Sequence, residues 1–317
     1  MEKIEKKKIF DFINNQKIFL ILIALVIILS LSNRLFLTYE NIINILFQIV
    51  LTGIIAIGMT FIIIGGDFDL SVGANMALAA TVLVILEKYG LAVSIIGAIL
   101  VSSLVGLISG VFVTKLKINA FVTTLAMMIF LKGWVLLLTN SQTIQGQSDT
   151  ILKLGYGTVF KVPFSVIIFL VLYIVFGLVL SKTIWGRNIY AVGNNSKAAH
   201  FFGISIAKTK ILAFTLVGFF CGISGVILVS RLNTASATYG NDTALDAITA
   251  VLLGGTSLSG GEGSVFKTFQ GVLLLGVLSN AMIVLNITPY LQQVIKGLIL
   301  IIILSIDSYY VKVNKFK

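Results

Sequence analysis

The stretch Gly261-Glu262-Gly263-Ser264-Val265-Phe266-Lys267-Thr268 is one residue away from the loop GxxxxGK[ST], in which backbone N–H groups cradle phosphate and a lysine reaches the β- and γ-phosphates. Elsewhere Asp67 and Asp69 stand two apart after a glycine pair, Asp246 and Glu262 bracket an apolar stretch, and Lys132 and Lys296 interrupt two others. Carboxylates and ammonium groups so placed could do acid–base work or line a polar path. His200 and Cys221 are each single in the chain, so no His-based triad, zinc cluster, proton relay or intrachain disulfide can be built on them.

The elements that must position these groups decide between the chemistries. The chain is 58% hydrophobic and only 11% charged, with two prolines and a mean hydropathy of +1.07, a composition of membrane proteins and not of domains with a wet surface. A nucleotide-binding α/β domain needs short apolar strands alternating with amphipathic helices, whereas this sequence offers apolar runs of about 20 residues, the length that spans a bilayer. Phe266 also stands where the last glycine of a phosphate loop must admit the phosphate. Both observations exclude a nucleotide site here.

The first run, after "MEKIEKKKIFDFINNQK", is too long for the core of a signal peptide and lacks a small-residue cleavage site, so it reads as a retained helix. Further spans are predicted at 42–64, 70–86, 91–113, 120–139, 163–181, 211–230, 244–259, 267–286 and 290–306. The fold class is therefore an all-α integral membrane protein of about ten transmembrane helices with broken or re-entrant segments. Lysine and arginine gather at 1–17, 115–117, 182–210 and in the tail 307–317, which ten spans place on one side; that side is predicted cytoplasmic, with both termini. The expected layout is a cytoplasmic segment 1–17, one transmembrane domain 18–306 with a cytoplasmic loop at 182–210, and a cytoplasmic tail 307–317. The net charge of +11 has no aromatic-interleaved basic face behind it, so it points to orientation and anionic headgroups and away from nucleic acid.

Polar residues break the apolar pattern in three places. In "IIIGGDFDLSVGANMALAA", Gly65 and Gly66 end one run, and Asp69 or Ser71 could accept backbone N–H bonds at the next helix start. That reads either as an interfacial turn or as broken-helix backbone beside a polar path, since irregular backbone at membrane depth survives only against protein or water. In "NDTALDAITAVLLGGTSLSGGEG", Asp246 is either an early-turn helix acid near the interface or a functional carboxylate at depth. Lys132 and Lys296 are expected to snorkel. The stretch "SKTIWGRNIYAVGNNSKAAHFFGISIAKTK" carries Trp185, Tyr190, Phe201 and Phe202 with small Ala198 and Ala199, and reads as a docking surface more than as a solvated loop. A tetrapeptide, ISGV, recurs at 108–111 and 223–226, a weak sign of inverted repeats.

The motifs "GGDFDLSVG" (65–73), "GRNIYAVGNNSKAAHFFGI" (186–204) and "LDAITAVLLGGTSLSGGEGSVFKTFQGVLLLGVLSN" (245–280) together resemble the ribose-type permeases of ATP-binding-cassette sugar importers, over about residues 20–307. The resemblance implies a permease subunit in the bacterial cytoplasmic membrane, itself no enzyme and without cofactor or metal. Its partners would be a second permease copy, separate ATPase subunits, and an extracytoplasmic binding protein that delivers a sugar-like solute to outer loops at 139–162 and 231–243. It assigns ATPase coupling to Gly186, Arg187, Gly193, Asn195, Ala198, Ala199 and Gly203. The translocation path or its gating would involve Gly66, Asp69, Ser71, Asp246, Gly254, Gly255 and Glu262. The chain departs from the family at Ser196 and Lys197, where acids often stand before the alanine pair, and at Asp67, where glycine is common. An ion-driven secondary transporter is the alternative, one that usually needs more ionisable groups at depth.

Overall fold

The structure, a computed structural model, describes residues 17–315; the lysine-rich segment 1–16 and the last two residues of the basic tail lie outside the described residues. Thirteen α-helices carry it: α1 (Lys17–Ser32), α2 (Tyr39–Ile64), α3 (Val72–Leu86), α4 (Leu91–Thr114), α5 (Ala120–Leu138), α6 (Asp149–Tyr156), α7 (Phe164–Lys182), α8 (Ile184–Asn194), α9 (Ser196–Phe201), α10 (Ile206–Leu232), α11 (Thr243–Leu253), α12 (Val265–Val284) and α13 (Pro289–Lys315). The only strands among the described residues form two short antiparallel pairs. β1 (Ile144–Gln145) lies against β4 (Thr234–Ala235), and β2 (Thr158–Val159) against β3 (Val162–Pro163).

Seven helices, α2, α3, α4, α5, α7, α10 and α12, are long and apolar enough to cross a membrane. Three shorter apolar stretches, 18–32, 243–253 and 289–305, coincide with the other predicted spans. The chain is an all-α multi-pass membrane protein. In hydrocarbon every backbone N–H and C=O must be satisfied within the segment, which makes helix the outcome for runs rich in Ile, Leu and Val that in water would favour strands. Leu100, Ile129, Leu137 and Ile174 are exposed on the outside of the bundle, as a lipid-facing belt requires.

With no hydrophobic force between helices in lipid, close approach through small residues must hold them together. The most extensive pairing joins α4 and α10, antiparallel, through Gly106 and Gly110 on one helix and Gly218 and Gly222 on the other. A Cβ on Gly106 would meet the Phe214 carbonyl, and one on Gly218 the Ser102 carbonyl, each at 2.3 Å. α2 also runs antiparallel to α10: Arg231 Nη1 donates to the Phe47 carbonyl (3.1 Å) and Ser224 Oγ to that of Leu51 (3.1 Å). The ISGV echo falls on α4 and α10, which pack against each other.

The inverted relation lies elsewhere. α2, the stretch 65–71, α3 and α4 follow one another as do α10, the stretch 233–242, α11 and α12, each part running in the opposite direction to its counterpart. In each unit the middle crossing is broken. Gly225 lies against Met76, Ala79 and Ala80. Ala79 and Gly225 stand equally far from the C-terminal ends of α3 and α10, so the shorter α3 starts level with the middle of α10. The stretch 233–242 descends from the other side to the same depth, and Gly73 and Gly240 touch there.

Candidate functional site

The glycine pair ends α2 as expected: Gly66 takes φ +83°, and the Asp67 N–H returns to the Ile62 carbonyl (3.1 Å). Asp69 is buried and accepts from both the Ser71 N–H (2.7 Å) and the Ser71 hydroxyl (2.6 Å). Ser71 is the residue before α3 but makes no side-chain cap; its hydroxyl points to Asp69 instead. Of the two predicted acceptors of a backbone N–H, Asp69 fills the role. Asp67 pairs with Lys210 in the first turns of α10 (2.7 Å), tying the broken stretch to the helix that follows the basic connector.

The glycine-rich turn 254–264 lies at the same end of the bundle. Gly261 N–H donates to the Ile64 carbonyl (2.8 Å), and Thr268 Oγ1 meets Thr60 Oγ1 (2.8 Å). Gly254 packs on the backbone of Lys267 and Thr268, Gly255 takes φ +80°, and Glu262 is exposed. The loop that looks like a phosphate cradle is a packing node between α2, α8 and α12, with its Gly261 N–H used inside the chain.

Asp246 lies in the first turn of α11 and pairs with Lys296 of α13 (2.8 Å), each side chain about a quarter exposed at 25% and 27%. Lys296 does not snorkel. A carboxylate sits within reach, and pairing costs less than carrying an uncompensated charge through an apolar bundle. Gln293 Nε2 donates to Asp242 Oδ2 (3.1 Å) one turn away.

The connector 183–205 forms two helices. Thr183 Oγ1 accepts from the Gly186 N–H (3.1 Å) and Asn195 Oδ1 from the Ala198 N–H (3.0 Å), which starts α8 and α9. Trp185 stacks on Phe61 with centroids 5.1 Å apart. Tyr190 donates to the Gly263 carbonyl (2.9 Å), and burial raises its phenol above the ordinary value, so it remains a donor. A Cβ on Gly186 would strike the Leu180 carbonyl and one on Gly193 the Ile64 carbonyl. These residues and Ala199 fasten the connector to the bundle. What it presents outward is Phe201, 88% exposed, Phe202, 86% exposed, and exposed Arg187, Lys197, His200 and Lys208. Gly203, at φ +78° with nothing within 4 Å, turns the chain into α10.

Sequence reasoning did not single out the Gly73–Gly240 contact, the Lys210–Asp67 pair or the Lys296–Asp246 pair, each of which joins residues at least 50 apart and leaves no local signal. It also passed over the GxxxG spacings at 106–110 and 218–222, which the sequence does display. Among the described residues no cluster of His, Cys, Asp and Glu could hold a metal ion.

The profile of the family described as "Branched-chain amino acid transport system / permease component" matches residues 41–304. The ribose import permease protein RbsC of Haemophilus influenzae is 37% identical over 304 residues, 94% of this chain and 94% of the relative. The protein of the same name from Bacillus subtilis is 38% identical over 293 residues, covering 91% of each chain. The L-arabinose transport system permease protein AraH of Escherichia coli is 35% identical over 282 residues, 88% of this chain and 86% of the relative. No solved structure matches the chain at a significant level.

Proposed function

The chain belongs to the branched-chain amino acid transport system / permease component family, and we propose that it is the membrane-spanning subunit of an ATP-binding-cassette importer for a sugar. The observation that carries this reading is its similarity, along nearly the whole chain, to permeases named for ribose and for arabinose. Both solutes are neutral pentoses, which favours a small polyol over an amino acid.

In this reading the seven long helices and the three shorter apolar stretches make ten crossings of the bacterial cytoplasmic membrane. The basic end with 182–210 is cytoplasmic, as are the segments 1–17 and 307–317, and 18–306 is the transmembrane domain. An ATPase subunit docks on Phe201 and Phe202, an apolar pair rimmed by cations and held on a platform whose other aromatics are anchored inside. The binding protein meets the opposite end, where the two strand pairs lie. A second copy of the chain, with lipid around both, completes the permease.

No bond is made or broken by this chain in the transport cycle. ATP-driven closure of the ATPases would shift α8 and α9, and the shift would reach the first broken crossing through Gly193 on Ile64 and Lys210 on Asp67. A ligand can only drive such a change by binding one arrangement better than the other. Solubilising the tagged chain from its native membrane, identifying what co-elutes and assaying ATPase activity tests the reading. A co-eluting ATPase that is lost when 196–203 is scrambled is the expected result. Uptake under an ion gradient, without ATP and without an ATPase partner, would replace it with a secondary transporter.

A further inference from the structure

Asp246 borders two cavities. One, of about 300 Å³, lies between α2, α11, α12 and α13, and Gln48, Thr52, Ser279, Gln292 and Lys296 face it. The other, of about 510 Å³, is bounded by the turn that leads into α11, including Asn241 and Asp242, by Thr243 at the start of α11, and by Gln293 of α13. Both volumes fall in the ~300–1,000 Å³ range of small-molecule sites. Asp246 lines both, and its partner Lys296 lines the first.

We propose that these cavities form a binding and transit site for a neutral polyhydroxylated solute, with the Asp246–Lys296 pair as the step between them. The proposal rests on the importer reading above and names the place in that permease where the solute passes.

Three features select this class of solute. Amide and hydroxyl side chains both donate and accept, as sugar hydroxyls do. Asp246 is paired with Lys296 and Asp242 accepts from Gln293, so the lining offers strong acceptors and donors that are held in place for hydroxyl groups. An apolar occupant, lipid tails included, would leave these groups without partners, at a cost each time. Ala250, Val272 and Leu275 supply apolar wall for the C–H faces of a sugar ring. The location also fits transit, because irregular backbone at membrane depth is tolerated where it lines a cavity open to water, and residues 238–242 line the second cavity.

The single native cysteine, Cys221, is buried, so a Cys221→Ala background leaves no thiol. Ser279→Cys, Thr243→Cys and, as a lipid-facing control, Ile129→Cys are introduced singly, and membranes carrying the full chain are treated with a charged methanethiosulfonate reagent. Modification at 279 and 243 but not at 129, slowed severalfold by D-ribose or L-arabinose and unaffected by L-leucine, is the expected pattern. Positions 279 and 243 reacting no faster than 129 would show a groove filled by lipid and overturn the site. Modification without protection by any of a panel of pentoses and hexoses, or protection by leucine instead, would overturn the solute class. These outcomes need no ATPase, so failure of the cavity assignment is separable from failure of the importer reading, which co-purification decides.

Discussion

Gly73 and Gly240 meet backbone to backbone at the depth where both broken crossings turn into helix. A Cβ on Gly73 would lie 2.0 Å from the Gly240 carbonyl oxygen, and one on Gly240 would lie 2.7 Å from the Gly73 carbonyl. The two half-helices α3 and α11 start from this contact and run to opposite ends of the bundle. Neither glycine can carry a side chain without parting the two crossings.

Gly73→Ala is therefore expected to destabilise the folded chain by at least the ~1–3 kcal/mol of a typical overpacked site, because the obstruction is backbone and cannot rotate away. Gly133→Ala in α5, where nothing lies within 4 Å of the new Cβ, is expected to stay within about 0.5 kcal/mol of the parent. Thermal midpoints by fluorescence-detected gel filtration compare the two. Equal midpoints would mean the crossings do not touch.

Much of this arrangement was legible in the sequence, for identifiable reasons. The apolar runs gave the long helices because hydrocarbon leaves their backbone no other way to satisfy its polar groups, and Gly65–Gly66 marked the first break through the chain's own geometry. Trp185 and Tyr190 were expected on a docking surface, yet they turn inward onto Phe61 and Gly263: aromatic content tells that a connector is structured, not which face it presents. Lys296 was expected to snorkel because its partner, 50 residues away on another helix, cannot be read from spacing. The ISGV echo pointed to a repeat, but the inverted relation pairs α2 with α10 and α4 with α12, and the echo joins α4 to α10.

Phe201→Ser with Phe202→Ser is expected to weaken ATPase binding roughly 30-fold, the equivalent of the ~2 kcal/mol that a buried aromatic anchor contributes at an interface. Both rings are almost wholly exposed in the isolated chain, so its own stability should not change. Ala199→Arg is a poorer probe, since Ala199 is buried at 3% and a large residue there would disturb α9 itself. A titration of purified ATPase onto the reconstituted chain measures the effect, and unchanged binding would move the docking surface elsewhere.

Removing one partner of the Asp246–Lys296 pair leaves the other charge uncompensated, whereas removing both leaves none. Asp246→Asn and Lys296→Gln are each expected to cut sugar uptake about tenfold, a change of about 1.4 kcal/mol in barrier. The double variant is expected to lose less than the product of the two, because the sites are coupled. Uptake in proteoliposomes at matched protein levels provides the numbers; strictly multiplicative losses would show that the two groups act apart.

Asp67–Lys210 sits between the connector and the first broken crossing, with the side chains 15% and 20% exposed. Both side chains are mostly buried, so Asp67→Asn leaves the Lys210 charge uncompensated and is expected to lower the thermal midpoint; transport is therefore compared at matched folded protein. Its further effect should fall on transmission, because Lys210 is the point at which a shift of α9 and the start of α10 reaches residues 65–71. The expected phenotype is ATP hydrolysis that continues while sugar uptake per ATP falls severalfold, with partial recovery in the charge-exchanged variant Asp67→Lys, Lys210→Asp. Parallel assays of hydrolysis and uptake on one preparation separate this from damage to docking, which would lower both together. An unchanged ratio in Asp67→Asn would show that the movement passes through the connector's other ties to the end of α2, Gly193 on Ile64 and Trp185 on Phe61.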